Sequence, residues 1–201
     1  MERYEYYAFQ FLTPWYESEL ALHMAISTKP EEADVREALS YFQVSRNFHG
    51  IHEPGRLALI VQSLETVRAN SSLSSPVAKV TELASDFEKN LDQCNVSAAS
   101  KLLWLSNRCP FIICDLRATN ALKKKFGHKH ADTSYEAFVA AWRDEFTNHK
   151  EKIEDAVKAL PLARPFMRAY AASDEDLLKM VKEPWFLERV FDVLLWDIGR
   201  P

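Results

Sequence analysis

The chain reads as all-α, a single compact helical domain over residues 1–201, and three observations lead there. It contains four glycines in its whole length. Apolar residues recur at three- and four-residue spacing in "EEADVREALSYFQVSRNF", "RLALIVQSLETVRA" and "AKVTELASDFEKNL". Its 47% hydrophobic and 12% aromatic content supplies one good core over 201 residues and falls short of two comfortable domains. Strand content is expected to be close to nil.

In chain order, helices are expected at 3–12, 15–27 and 30–46, so that 1–39 forms an N-terminal helical section ahead of the region 40–199. A helix at 54–69 leads to "NSSLSSP", residues 70–76, a short polar tether before a helix at 75–91. Residues 96–107 form the next helix, with Ser97 capping near its start and Leu102, Leu103, Leu105, Ala98 and Ala99 supplying a broad apolar face. Arg108, Cys109 and Pro110 end it, and "FIICD" is a short extended return before a helix at 116–126. Gly127 stops that helix. Helices at 133–147, 149–160, 173–181 and 184–198 complete the chain, and "RDEFTNHKEKIEDAVK" carries the Glu and Lys neighbours of a solvated face. Trp104, Trp142, Trp185 and Trp196 sit among apolar residues at helical spacing and are expected in the core.

Several classes are excluded. No apolar run approaches the ~20 residues that a membrane span requires. The first 25 residues carry Glu2, Glu5, Glu17 and Glu19 and lack the basic and apolar regions of a signal peptide. Cys94, Cys109 and Cys114 are odd in number and match no zinc spacing, which fits reduced thiols in a cytoplasmic protein with no metal and no cofactor. His49 and His52 lack a third ligand at a recognisable spacing. A net charge of −4 leaves room for a local basic patch only. Such a patch lies in "LKKKFGHKH", where Lys123, Lys124 and Lys125 either oppose the negative pole of their helix or contact phosphate.

The stretch "SAASKLLWLSNRCPFIICDLRATNAL" places Lys101 at the head of an apolar helix and Asp115 at the end of an apolar run. The helical part advances about 10 Å and the extended return covers roughly 18 Å, so the chain is able to bring Asp115 back beside Lys101. Asp115 is equally placed to cap the helix beginning at Leu116, and the Lys101 stem to pack while its amine reaches water.

"ASKLLWL" followed by "PFIICDLRATNAL" resembles the helix-hairpin-helix DNA glycosylase superfamily, and in particular small bacterial proteins with an 8-oxoguanine DNA glycosylase fold. "SRNFHGI" resembles their N-x-x-G-I entry segment and "EPWFLERVFDVLLWDIG" their tryptophan-rich closing helix, so the likeness spans about residues 40–199. It implies a glycosylase or lyase acting on a flipped base, with DNA rather than RNA as substrate and a role in DNA repair, in bacterial defence or as a toxin. Lys101 would be the amine and Asp115 the carboxylate that stabilises positive charge on the sugar. Burial would favour the neutral amine and a close Asp115 the charged one. The glycine-rich hairpin of that superfamily reads here "LDQCNVSAASK" without a glycine, which shifts phosphate contacts toward Arg117, Lys123, Lys124 and Lys125.

Two alternatives stand beside this reading. "RNFHGIH" resembles the Arg-to-His motif of HEPN ribonuclease toxins, with Arg46 and His52 as the pair, although Gly50, Pro54 and Gly55 point to a turn where that family continues a helix. The other is a non-catalytic helical module that binds a partner protein or DNA.

Overall fold

The structure, a computed structural model, describes residues 3–48, 51–163, 165 and 173–200. Among them every regular element is helical, and the chain falls into two compact units, Met1–Glu19 with Asp115–Pro201, and Leu20–Cys114.

The first unit contains α1 (Tyr4–Pro14), a π-turn (Trp15–Glu19), α7 (Leu116–Lys124), α8 (Tyr135–Val157), α9 (Leu160–Ala163), α10 (Asp174–Met180) and α11 (Pro184–Ile198). Helix α11 packs on α7, α1 and α8. It does so because Phe186, Val190, Phe191, Leu194 and Leu195 recur at three- and four-residue spacing and all are fully buried. Helix α1 answers with Phe11 and Leu12 and the π-turn with Trp15, and the Trp15 and Trp185 rings lie 4.6 Å apart between centroids. Each such side chain taken from water contributes about 1.5–3 kcal/mol. The π-turn follows Pro14, whose missing N–H removes a helical bond. It carries Glu19, 1% exposed, which accepts from Arg189 Nη2 at 2.8 Å and Nε at 3.4 Å.

The second unit contains α2 (Leu20–Thr28), α3 (Glu32–Tyr41), a 3-10 turn (Ser45–Asn47), α4 (Arg56–Ala69), α5 (Pro76–Leu91) and α6 (Val96–Ser106). Helix α6 packs on α2 and α5, with Leu102, Leu103, Trp104 and Leu105 all buried.

Four expectations need correction. The helix expected over 30–46 ends at Tyr41, because Gln43 takes the left-handed conformation (φ 55) and Val44 N–H bonds Leu39 O at 2.9 Å while Gln43 N–H bonds Ser40 O at 2.9 Å. This is a Schellman ending with glutamine where glycine is usual. The break expected near residue 148 is absent, since Asn148 and His149 interrupt no backbone bond and α8 runs unbroken through them. His149 is buried and its Nδ1 bonds the Tyr4 hydroxyl. The gap expected at 13–14 is filled by the last residues of α1, which runs directly into the π-turn, so helical backbone is continuous across it. Helix α6 is capped by Asn95, whose Oδ1 accepts from Ala98 N at 3.0 Å, and not by Ser97. Helix α7 ends at Lys124 with Lys125 as its cap, and Gly127, at φ 82, lies two residues past that cap.

Candidate functional site

Helix α5 and helix α6 are joined by the turn 92–95, at the place where the sequence lacks the expected glycines. Asp92 supplies the left-handed residue (φ 57) that glycine would otherwise provide. Asn95 then caps α6 while 6% exposed, and its Nδ2 finds no hydrogen-bond partner among the described residues. Displaced from the cap, Ser97 accepts from Lys101 Nζ at 2.9 Å.

Lys101 is 5% exposed, a rare state for a lysine, and its Nζ lies 5.8 Å from the centroid of the Phe42 ring. The extended return behaves as its length allows. Cys114 N–H donates to Ser100 Oγ at 3.0 Å, so the return lies back along α6 at the residue that precedes Lys101. Asp115 is the next residue in the chain and opens the other unit, where its Oδ1 accepts from Ala118 N at 2.8 Å and caps α7. The capping role open to Asp115 is therefore realised.

The cations expected to hold phosphate are unequal. Lys123 is paired with Asp132, and that contact holds the Asp132 carboxyl below its usual range. Lys124 and Lys125 are exposed. Arg117 stacks over Trp196, its guanidinium carbon 4.0 Å from the ring centroid, and Arg200 lies 5.1 Å from the same ring. Trp196 is 41% exposed, which corrects the expectation that all four tryptophans fill the core; Trp104, Trp142 and Trp185 do. Helical spacing alone misses this, since Trp196 stands one position off the buried stripe of α11.

Arg46 is exposed in the 3-10 turn and His52 is exposed in a turn that precedes α4. His49 lies outside the described residues. A metal could be held by His128, Asp144 and Glu145, whose ligand atoms lie within 4.8 Å of one another. Sequence spacing does not bring these three together, and a His128 Nε2 to Glu145 Oε1 contact of 2.7 Å already accounts for the grouping. In the second unit a cleft of about 460 Å³ is lined by Arg68, Ser75, Lys79, Asn107 and Phe111 among others. Its cations are spent on helix ends: Arg68 donates to Ile26 O and Ser27 O at 2.8 and 2.6 Å, and Lys79 to Arg68 O at 3.2 Å.

Among the described residues no helix is long and apolar enough to cross a membrane. No family model matches the chain, and neither a curated protein nor a solved structure matches it.

Proposed function

We propose that the chain acts on DNA as a glycosylase with lyase chemistry, with Lys101 as the attacking amine and Asp115 as the carboxylate that steadies charge on the sugar. The observation that carries this reading is the buried Lys101 amine, held by Ser97 on one side and near the Phe42 ring on another, at the head of a helix entered through a tight turn. A lysine is not buried for packing alone when an apolar residue would fill the place without desolvating an amine. In the reaction, Nζ forms a bond to the anomeric carbon as the glycosidic bond breaks, and the base leaves with the electron pair and takes up a proton. Ring opening then gives an iminium on Lys101.

Borohydride reduces such an iminium to a stable secondary amine, so incubation with oligonucleotides bearing modified bases or an abasic site should leave the parent covalently attached to DNA. Lys101→Ala should abolish the adduct. Asp115→Asn retains an oxygen for the Ala118 N–H and should keep the fold while slowing adduct formation, whereas Asp115→Ala also loses the cap, about 1 kcal/mol. No adduct with any substrate, at concentrations where the parent binds DNA, would leave the second reading, a non-catalytic DNA-binding module. The commitment of Asp115 to the α7 cap is the observation that favours that second reading.

A further inference from the structure

We infer that Trp196 is a platform that presents Arg117 and Arg200 to successive phosphates of one DNA strand, with Lys124 continuing the line of contact along α7. The inference rests on the reading of the chain as DNA-acting and names the surface that would hold the strand.

The argument begins with spacing. Buried Ala118, Ala121 and Leu122 turn one side of α7 inward, which leaves Arg117 and Lys124, seven positions apart, on a common outward stripe. At 1.5 Å per residue they are separated by about 10.5 Å along the axis, too far for one carboxylate to bridge. A line of cations at that interval suits a repeating polyanion better than a single carboxylate.

The second observation is the indole. A guanidinium stacked on a ring keeps its N–H groups in its own plane, directed outward, and loses side-chain freedom before any ligand arrives. That geometry leaves the planar fork of Arg117 available to a phosphate while the ring holds it in place. Arg200 is fixed from a second direction, its Nη2 lying 3.1 Å from Asp197 Oδ1, and Asp197 Oδ2 in turn accepts from the Tyr7 hydroxyl at 3.3 Å. The approach of the two segments is set by Gly199: a Cβ there would stand 1.9 Å from the Arg117 carbonyl oxygen. With a net charge of −4 on the whole chain, attraction for a polyanion has to come from local cations, here Arg117 and Lys124, with Arg200 shared with Asp197.

The test is fluorescence anisotropy of a labelled DNA duplex across a salt series, with thermal melts to establish that each variant is folded. Arg117→Gln and Lys124→Gln should each reduce the slope of log K against log salt by about 0.9, and affinity by about eightfold at about 0.1 M salt. Trp196→Ala should match Arg117→Gln although it removes no charge, and Trp196→Phe should recover most of the loss. Lys152→Gln, on the exposed side of α8, should match the parent. Trp196 is 41% exposed while Trp15, Trp104, Trp142 and Trp185 are at most 6% exposed, so iodide quenching reports on this ring and DNA should protect it.

The surface is refuted if Trp196→Ala and Arg117→Gln bind with the parent's affinity and slope, if the parent fails to bind DNA at low salt, or if poly-glutamate displaces DNA at equal charge. Failure of covalent trapping with these binding effects intact removes the chemistry proposed for Lys101 and leaves the surface standing. Trapping that survives Trp196→Ala and Arg117→Gln at unchanged affinity does the reverse.

Discussion

A carboxyl group in an apolar core makes stability depend on pH, and Asp192 is such a group. It is 6% exposed on α11, with Trp142 Nε1 donating to Oδ1 at 2.8 Å. Burial pushes its pKa up to about 8; Arg189 and the Trp142 bond pull against that, and the like charges of Asp115 and Glu188 add to it. Glu188, one turn earlier, is pushed to about 7 by burial, against the pull of Arg143 and Lys150. Both folded values exceed the ordinary ones of 3.8 and 4.5, so between the two values the folded chain holds protons that the unfolded chain releases. The stabilising contribution is thus fully present below the ordinary values and is lost as pH rises through about 7 for Glu188 and about 8 for Asp192. Urea midpoints of the parent should fall between about pH 5 and about pH 9. Asp192→Asn keeps an acceptor for Trp142 and cannot ionise, so its midpoint should fall less over that range. A variant profile as steep as the parent's would assign the slope to other groups.

At the scale of elements, the pairing of α7 with α11 depends on a glycine that no turn requires. Gly199 has an ordinary φ of −87, so its role is space: an added Cβ meets the Arg117 carbonyl oxygen at 1.9 Å, and backbone cannot swing aside as a side chain can. Gly199→Ala should cost about 1–3 kcal/mol through overpacking, measured by chemical unfolding, and should alter iodide quenching of Trp196. A loss within about 0.5 kcal/mol, the range of an ordinary surface change, would mean that the two helices adjust freely. The start of α6 offers a comparison in which the local rule suffices. Asn95→Ala should cost about 1 kcal/mol for the lost cap, whereas Asn95→Ser retains an oxygen for Ala98 N, removes the unpartnered Nδ2 and should stay near the parent.

For the whole molecule, the units differ in how the chain supplies them. The unit Leu20–Cys114 is contiguous and buries Leu22, Ile26, Val35, Leu39, Ile60, Leu64, Leu83, Phe87 and Leu102 in a core of its own. The other unit needs α1 from one end of the chain and α7–α11 from the other, joined by Phe11, Trp15, Trp185 and Phe186. A fragment 20–114 should therefore be helical and melt cooperatively, with buried emission from Trp104, the one tryptophan within it. A fragment 115–201 should remain poorly ordered until a 1–19 peptide is added, because the apolar face that α1 covers would be left in water. Equal cooperativity in both fragments would show that α1 is dispensable to its unit.

By itself the sequence determined what is decided within a turn or two of helix. Apolar periodicity settled the all-helical class, Pro110 and Gly127 marked the non-helical segments that follow α6 and α7, and Asp115, at the mouth of α7, could be read as a cap from its type and place alone. Length alone also allowed the return that Cys114 N–H completes on Ser100. Only the tertiary structure decided the left-handed Gln43, the unbroken run of α8 past His149, the choice of Asn95 over Ser97 as cap, the division into two units and the exposure of Trp196. The physical reason is common to most of these. A periodic pattern says that a face is apolar without saying what covers it, and bonds such as Tyr4 to His149 or Glu19 to Arg189 join residues so far apart in sequence that no local signal marks them. Trp196 shows the consequence: its type and neighbours are those of a core residue, and the packing of α11 against α7, α1 and α8 turns it outward instead, beneath two arginines.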